Sequence, residues 1–116
     1  MEATVRKRIE NLLASLPPEE KVAIVSHGIA LYLSTLKKRL SLAQAKVRQF
    51  EERYRISLSE LDAQGLPDDA DYQMHEDYIM WHHWAHTAEK LKEQIATLSE
   101  IAAQGLYSGE MFHVSD

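Results

Sequence analysis

The chain has 116 residues, 45% of them apolar and 27% charged, with a formal net charge of −5. That length accommodates one domain rather than two independent cores, and the composition is that of a globular rather than a disordered chain. The absence of cysteine excludes a disulfide framework and a thiolate zinc site and points to a reducing, cytoplasmic setting, while no apolar run approaches the roughly 18 residues of a membrane span and residues 1–9 lack a signal-peptide apolar stretch.

The first predicted element is a helix over residues 4–16 with Thr4 as its N-cap. Val5, Ile9, Leu12 and Leu16 recur at 4-3-4 spacing, and Arg6, Lys7, Arg8 and Glu10 lie largely off that stripe. Pro17-Pro18 stops the helix and restarts the chain, with Glu19 and Glu20 placed to favour a new helix start.

A second helix is predicted over 18–56. Ile29, Leu33, Leu36, Leu40, Ala43, Val47, Phe50 and Tyr54 form seven consecutive 4-3 steps, a heptad-like, coiled-coil stripe that Val22 and Val25 extend backwards. Gly28 interrupts the sequence but not the phase. At about 1.5 Å per residue the rod is on the order of 58 Å long, so it needs a partner along much of its length. Ile24, Leu31, Tyr32 and Leu42 add apolar surface beyond the main stripe.

Ser57 and Glu60 have capping-box spacing and open a short helix over 57–64 that Gly65 ends, with Pro67 blocking continuation. The last predicted helix covers 71–104, preceded by Asp68, Asp69 and Asp71 at its N-terminus. Its stripe is Asp77, Trp81, Trp84, Ala88, Leu91, Ile95, Leu98 and Ala102, with Gly105 as its C-cap. The tail, 105–116, carries Leu106, Tyr107, Met111, Phe112 and Val114 and is expected to dock on the bundle or on a second chain. Leu58–Leu66 and Leu98–Leu106 echo one another forty residues apart, which reads as two similar helix endings rather than a repeat.

The fold class expected is therefore all-α: a single domain holding a long antiparallel hairpin, an N-terminal helix and a short connecting helix, with two copies closing into a homodimeric four-helix-type bundle. Core or interface positions are Ile29, Leu33, Leu36, Leu40, Val47, Phe50, Tyr54, Trp81, Trp84, Leu91, Ile95 and Leu98. Antiparallel pairing brings Arg48, Arg53 and Arg55 towards Glu76 and Asp77. A carboxylate on an apolar stripe needs a partner, so Asp77 is expected to pair with Arg53 or Tyr54. Charge is divided unequally, with a balance of +5 over residues 1–57 and −10 over 58–116, which suits two halves lying against each other or one half meeting a charged partner.

Few residues suggest chemistry. His75, His82 and His86 share a helical face opposite Trp81 and Trp84, and His82 with His86 has the i, i+4 spacing that could chelate a borderline metal. An exposed histidine face sensitive to pH near 6 is the plainer account, and no cofactor is expected. Asp68, Asp69 and Asp71 could hold Mg²⁺ weakly, but capping the helix needs no metal and is the favoured reading. Lys37, Lys38, Arg39, Lys46, Arg48, Arg53 and Arg55 could form a nucleic-acid stripe, although Glu51 and Glu52 interrupt it and the net charge opposes indiscriminate binding. No phosphate-binding glycine loop, serine elbow or helical ribonuclease pattern is present.

Lys46-Val47-Arg48-Gln49-Phe50-Glu51-Glu52-Arg53-Tyr54, the capped segment to Leu61, the acidic connector and Glu76 through Trp84 together resemble a group of small prokaryotic helical proteins. These are often encoded beside toxin genes and presumed antitoxin-like. The resemblance covers residues 46–84 and implies a non-catalytic protein whose partner is another, toxin-like protein. The histidine-rich version of the last helix departs from that group, and no functional residue transfers.

Overall fold

The computed structural model describes the backbone of residues 2–114 and the side chains of residues 2–104. Among these the secondary structure is helical throughout, with no strand: α1 (Glu2–Ala14), α2 (Pro18–Tyr54), α3 (Leu58–Gln64) and α4 (Tyr72–Val114). The chain divides into two compact units, one comprising Ser34–Thr97 and the other Met1–Leu33 with Leu98–Asp116.

Helix ends differ from the sequence reading by two or more residues in four places, each for a local reason. α1 begins at Glu2, so Thr4 lies inside it rather than capping it; an acid in the first turn suits the positive end of the helix. It closes at Ala14, where the Ser15 N–H reaches both Asn11 O and Leu12 O at 3.2 Å and the Ser15 hydroxyl donates to Leu12 O at 2.7 Å. α2 stops at Tyr54 instead of residue 56 because Arg55 adopts φ 55°, its N–H bonding to Glu51 O at 2.7 Å. This left-handed cap satisfies an orphan carbonyl and costs a non-glycine residue about 1–2 kcal/mol.

The last difference is the largest. Gly105 does not cap α4, which continues to Val114. Residues 105–116 therefore do not begin as a separate tail. The docking expected of Leu106, Tyr107, Met111, Phe112 and Val114 falls on side chains outside the described residues.

At α3 the sequence chemistry and the backbone agree. Ser57 is the N-cap and accepts the Glu60 N–H at 3.2 Å. Gly65, at φ 78°, donates its N–H to Leu61 O at 2.7 Å. Asp71 caps α4 in the same manner, its Oδ1 accepting the Met74 N–H at 2.9 Å.

Burial is concentrated in one unit. Leu36, Ala43, Leu61, Trp81, Ala88, Leu91 and Asp77 are the buried residues, and all seven lie within Ser34–Thr97. There α2 and α4 run antiparallel: Phe50 and Tyr54 of α2 both stack on Trp81 of α4, with centroids 5.7 and 6.0 Å apart. α3 contributes Leu61 to the same core. In the other unit no described residue is buried.

Gly28 lies inside α2, and a Cβ built on it meets nothing within 4 Å. Gly28→Ala is expected to raise stability by about 0.5–1 kcal/mol, since alanine relieves the entropic cost of glycine in a helix. Thermal melts followed by circular dichroism would register this as a higher Tm. A lower Tm would mean that another surface lies against residue 28.

Candidate functional site

Three features of the surface and its margins could carry function. The first is the carboxylate of Asp77, which is only 6% exposed. The heptad phase of α4 places it one turn before Trp81 on the side facing α2. Arg53 Nη1 donates to Oδ2 at 2.7 Å, the Tyr54 hydroxyl donates to the same oxygen at 2.5 Å, and Gln73 Nε2 donates to Oδ1 at 2.8 Å. Burial raises the Asp77 pKa, but the hydrogen bonds from Tyr54, Gln73 and Arg53 and the guanidinium charge outweigh it. The net effect holds the carboxyl below its usual range. Burial, then the hydrogen bond to Asp77, push the Tyr54 hydroxyl up. The Arg53 guanidinium also lies 5.9 Å from the centroid of the Phe50 ring. Arg53 and Tyr54 reach Asp77 across from α2, while Gln73 steadies it from within α4, so this cluster clasps the two helices together. Arg48 and Arg55, expected near the same carboxylates, are exposed and join no ion pair among the described residues.

A second carboxylate, Asp62 on α3, sits at the surface. Its Oδ1 accepts from the Tyr78 hydroxyl and lies 2.8 Å from His82 Nε2, while the rings of Tyr78 and His82 meet edge to face. The hydrogen bonds from Tyr78 and then His82 hold the Asp62 carboxyl below its ordinary value. The sequence offered no signal for this contact, because it depends on where the Gly65 turn returns α3 against α4. It fixes the short helix to the long one.

His82 is thereby engaged, while His75 and His86 are exposed. Among the described residues no three His, Asp or Glu side chains gather in an arrangement able to hold a metal ion. His83, which the sequence reading passed over, lies edge-on against Trp84. The proposed core positions divide by depth: Leu36, Trp81 and Leu91 are buried, whereas Ile29, Leu33, Leu40, Val47, Phe50, Tyr54, Trp84, Ile95 and Leu98 are half-buried.

The third feature is apolar surface. Val5, Ile9 and Leu12 of α1 are 57%, 52% and 59% exposed, and α1 has no buried residue. The same unit also exposes Leu13, Ile24, Val25, Leu31, Tyr32 and Ile101. Scattered exposed leucines are ordinary, but an aligned apolar stripe on a helix that buries nothing is not. No helix among the described residues is long and apolar enough to cross a membrane. No protein-family model, no curated protein and no solved structure matches the chain.

Proposed function

We propose that this protein acts by binding other proteins rather than by catalysis. It is a helical interaction module that self-associates and engages a separately encoded partner in the manner of an antitoxin. The observation that carries this reading is α1, thirteen residues with an apolar stripe and not one of them buried. A helix this short is marginal alone in water and normally draws its stability from packing its apolar face. The resemblance of residues 46–84 to antitoxin-like proteins supports the choice of a protein partner, and the acidic balance of residues 58–116 favours a basic one.

The test is affinity capture from the native cell with mass spectrometry, followed by reconstitution with the purified candidate. Binding at micromolar concentration that weakens at least tenfold when the exposed acids Glu76 and Glu93 are both reversed to lysine is the expected result. Absence of any stoichiometric partner, or a reconstituted affinity indifferent to that reversal, would overturn the proposal. A nucleic-acid role through Lys37, Lys38 and Arg39 would instead show a salt-dependent mobility shift.

A further inference from the structure

The unit formed by Met1–Leu33 and Leu98–Asp116 is compact, yet none of its described residues is buried. Nine of its large apolar side chains, each at least 42% exposed, face outward: Val5, Ile9, Leu12 and Leu13 on α1, four more on the first half of α2, and Ile101. With a Val, Leu or Ile side chain offering roughly 100 Å² and about half of that exposed, nine such residues present on the order of 450 Å². One partner in a standard stable interface contributes about 800 Å², a little over half of it apolar. The unit therefore exposes about as much apolar surface as a stable dimer covers.

The pattern on α1 indicates what covers it. Val5, Ile9, Leu12 and Leu16 are spaced 4-3-4, an order that reads the same in both directions about a point between Glu10 and Asn11. Leu16 lies just past α1, but its N–H bonds to Leu13 O at 3.2 Å, so the turn continues to it. Two such stripes laid antiparallel match without offset: Ile9 faces the partner's Leu12, Val5 faces the partner's Leu16, and each contact occurs twice. This self-complementarity is the condition for a two-fold interface. Residues 1–33 carry Arg6, Lys7, Arg8 and Lys21 against Glu2, Glu10, Glu19 and Glu20. That segment is neutral, so two copies meet there without the like-charge repulsion that would exclude self-pairing.

From these features we infer that α1 is the seam of a two-fold homodimer, packed antiparallel on α1 of a second copy. The inference rests on the interaction reading above and specifies one of its surfaces. Apolar side chains from the first half of α2 extend the contact, and the core of the Ser34–Thr97 unit takes no part in it.

The chain's lack of cysteine makes the geometry directly testable in the full-length protein. Sedimentation equilibrium at about 10–100 µM should give twice the chain mass. Ile9→Asp should weaken association at least about 30-fold, the effect of losing one interface hot spot. It should leave tryptophan emission unchanged and cost far-ultraviolet circular dichroism no more than the helicity of α1, because position 9 contributes nothing to the buried core. For register, an oxidised mixture of Ile9→Cys and Leu12→Cys proteins should cross-link to each other in preference to themselves. Preferential self-linking of Ile9→Cys would mean a parallel or shifted pairing and would overturn the inference. A monomeric wild-type chain over this range would overturn it too, while the heterologous reading would still be decided by partner reconstitution.

Discussion

Trp81→Ala is expected to destabilise the protein by about 3–5 kcal/mol, the usual cost of emptying a large aromatic site in a packed core. Trp81 is 0% exposed and touches the chain at its main crossing, where Phe50 and Tyr54 stack on it at interplanar angles of 23° and 18°. Such ring pairs add about 0.5–1.5 kcal/mol each beyond area burial, and alanine forfeits both. One term runs the other way. The indole Nε1 is buried without a hydrogen-bond partner among the described residues, and an unsatisfied buried donor costs about 1–3 kcal/mol. Trp81→Phe keeps a ring between Phe50 and Tyr54 and removes that donor, which offsets part of the void it leaves, so its loss should be well below that of alanine. Urea denaturation at fixed protein concentration, followed by circular dichroism, separates the two variants by their midpoints. Equal midpoints for alanine and phenylalanine would show that the ring is not what joins the helices. A domain of this size has about 5–15 kcal/mol in total, so Trp81→Ala removes a large share of it.

Two nearly identical segments show how far the sequence could be read. Ser59-Glu60-Leu61-Asp62-Ala63-Gln64-Gly65-Leu66 and Ser99-Glu100-Ile101-Ala102-Ala103-Gln104-Gly105-Leu106 both look like a helix ending in glycine. Only the first ends there, with Gly65 at φ 78°, and α4 continues through the second. The difference lies two residues beyond the glycine. Pro67 lacks an N–H and constrains Leu66 away from helical geometry, whereas Tyr107 does neither, and one interior glycine costs only about 1 kcal/mol. Glycine is permission to stop; proline enforces it. The hairpin was legible because seven 4-3 steps in α2 and a matching stripe in α4 leave few alternatives. The α1 stripe was legible as well, but its periodicity alone could not reveal that the chain leaves it exposed. Nor did any local pattern connect Asp62 with Tyr78 and His82, sixteen and twenty residues away. Periodicity identifies faces, whereas a contact made through a turn depends on the angle of that turn.

The carboxylate of Asp77 should make stability fall in acid in a way that a single substitution abolishes. Its folded pKa lies below the ordinary value, so the native state holds its proton less tightly than the unfolded chain does. The stabilisation is therefore complete above the unfolded carboxyl pKa of about 3.9 and is lost as pH falls through the lower folded value. Asp77→Asn preserves the size of the side chain but turns an amide N–H₂ towards either the Arg53 and Tyr54 donors or the Gln73 donor, so donor meets donor on one side. The Arg53 side chain is 57% exposed, and its attraction is screened by solvent. The loss consequently rests mainly on the buried acceptor and its uncharged donors, which gives about 1.5–2 kcal/mol near pH 7. Urea midpoints measured from pH 7 down to pH 3 should show wild type above Asp77→Asn at neutrality, with the gap narrowing once pH passes below about 4. Asp62 titrates in the same direction, so the comparison belongs in an Asp62→Asn background, where the remaining carboxylate of interest is Asp77. If the two curves stay parallel down to pH 3, the pH dependence does not come from the Asp77 clasp. Convergence would identify protonation at this one side chain as the event that loosens α2 from α4.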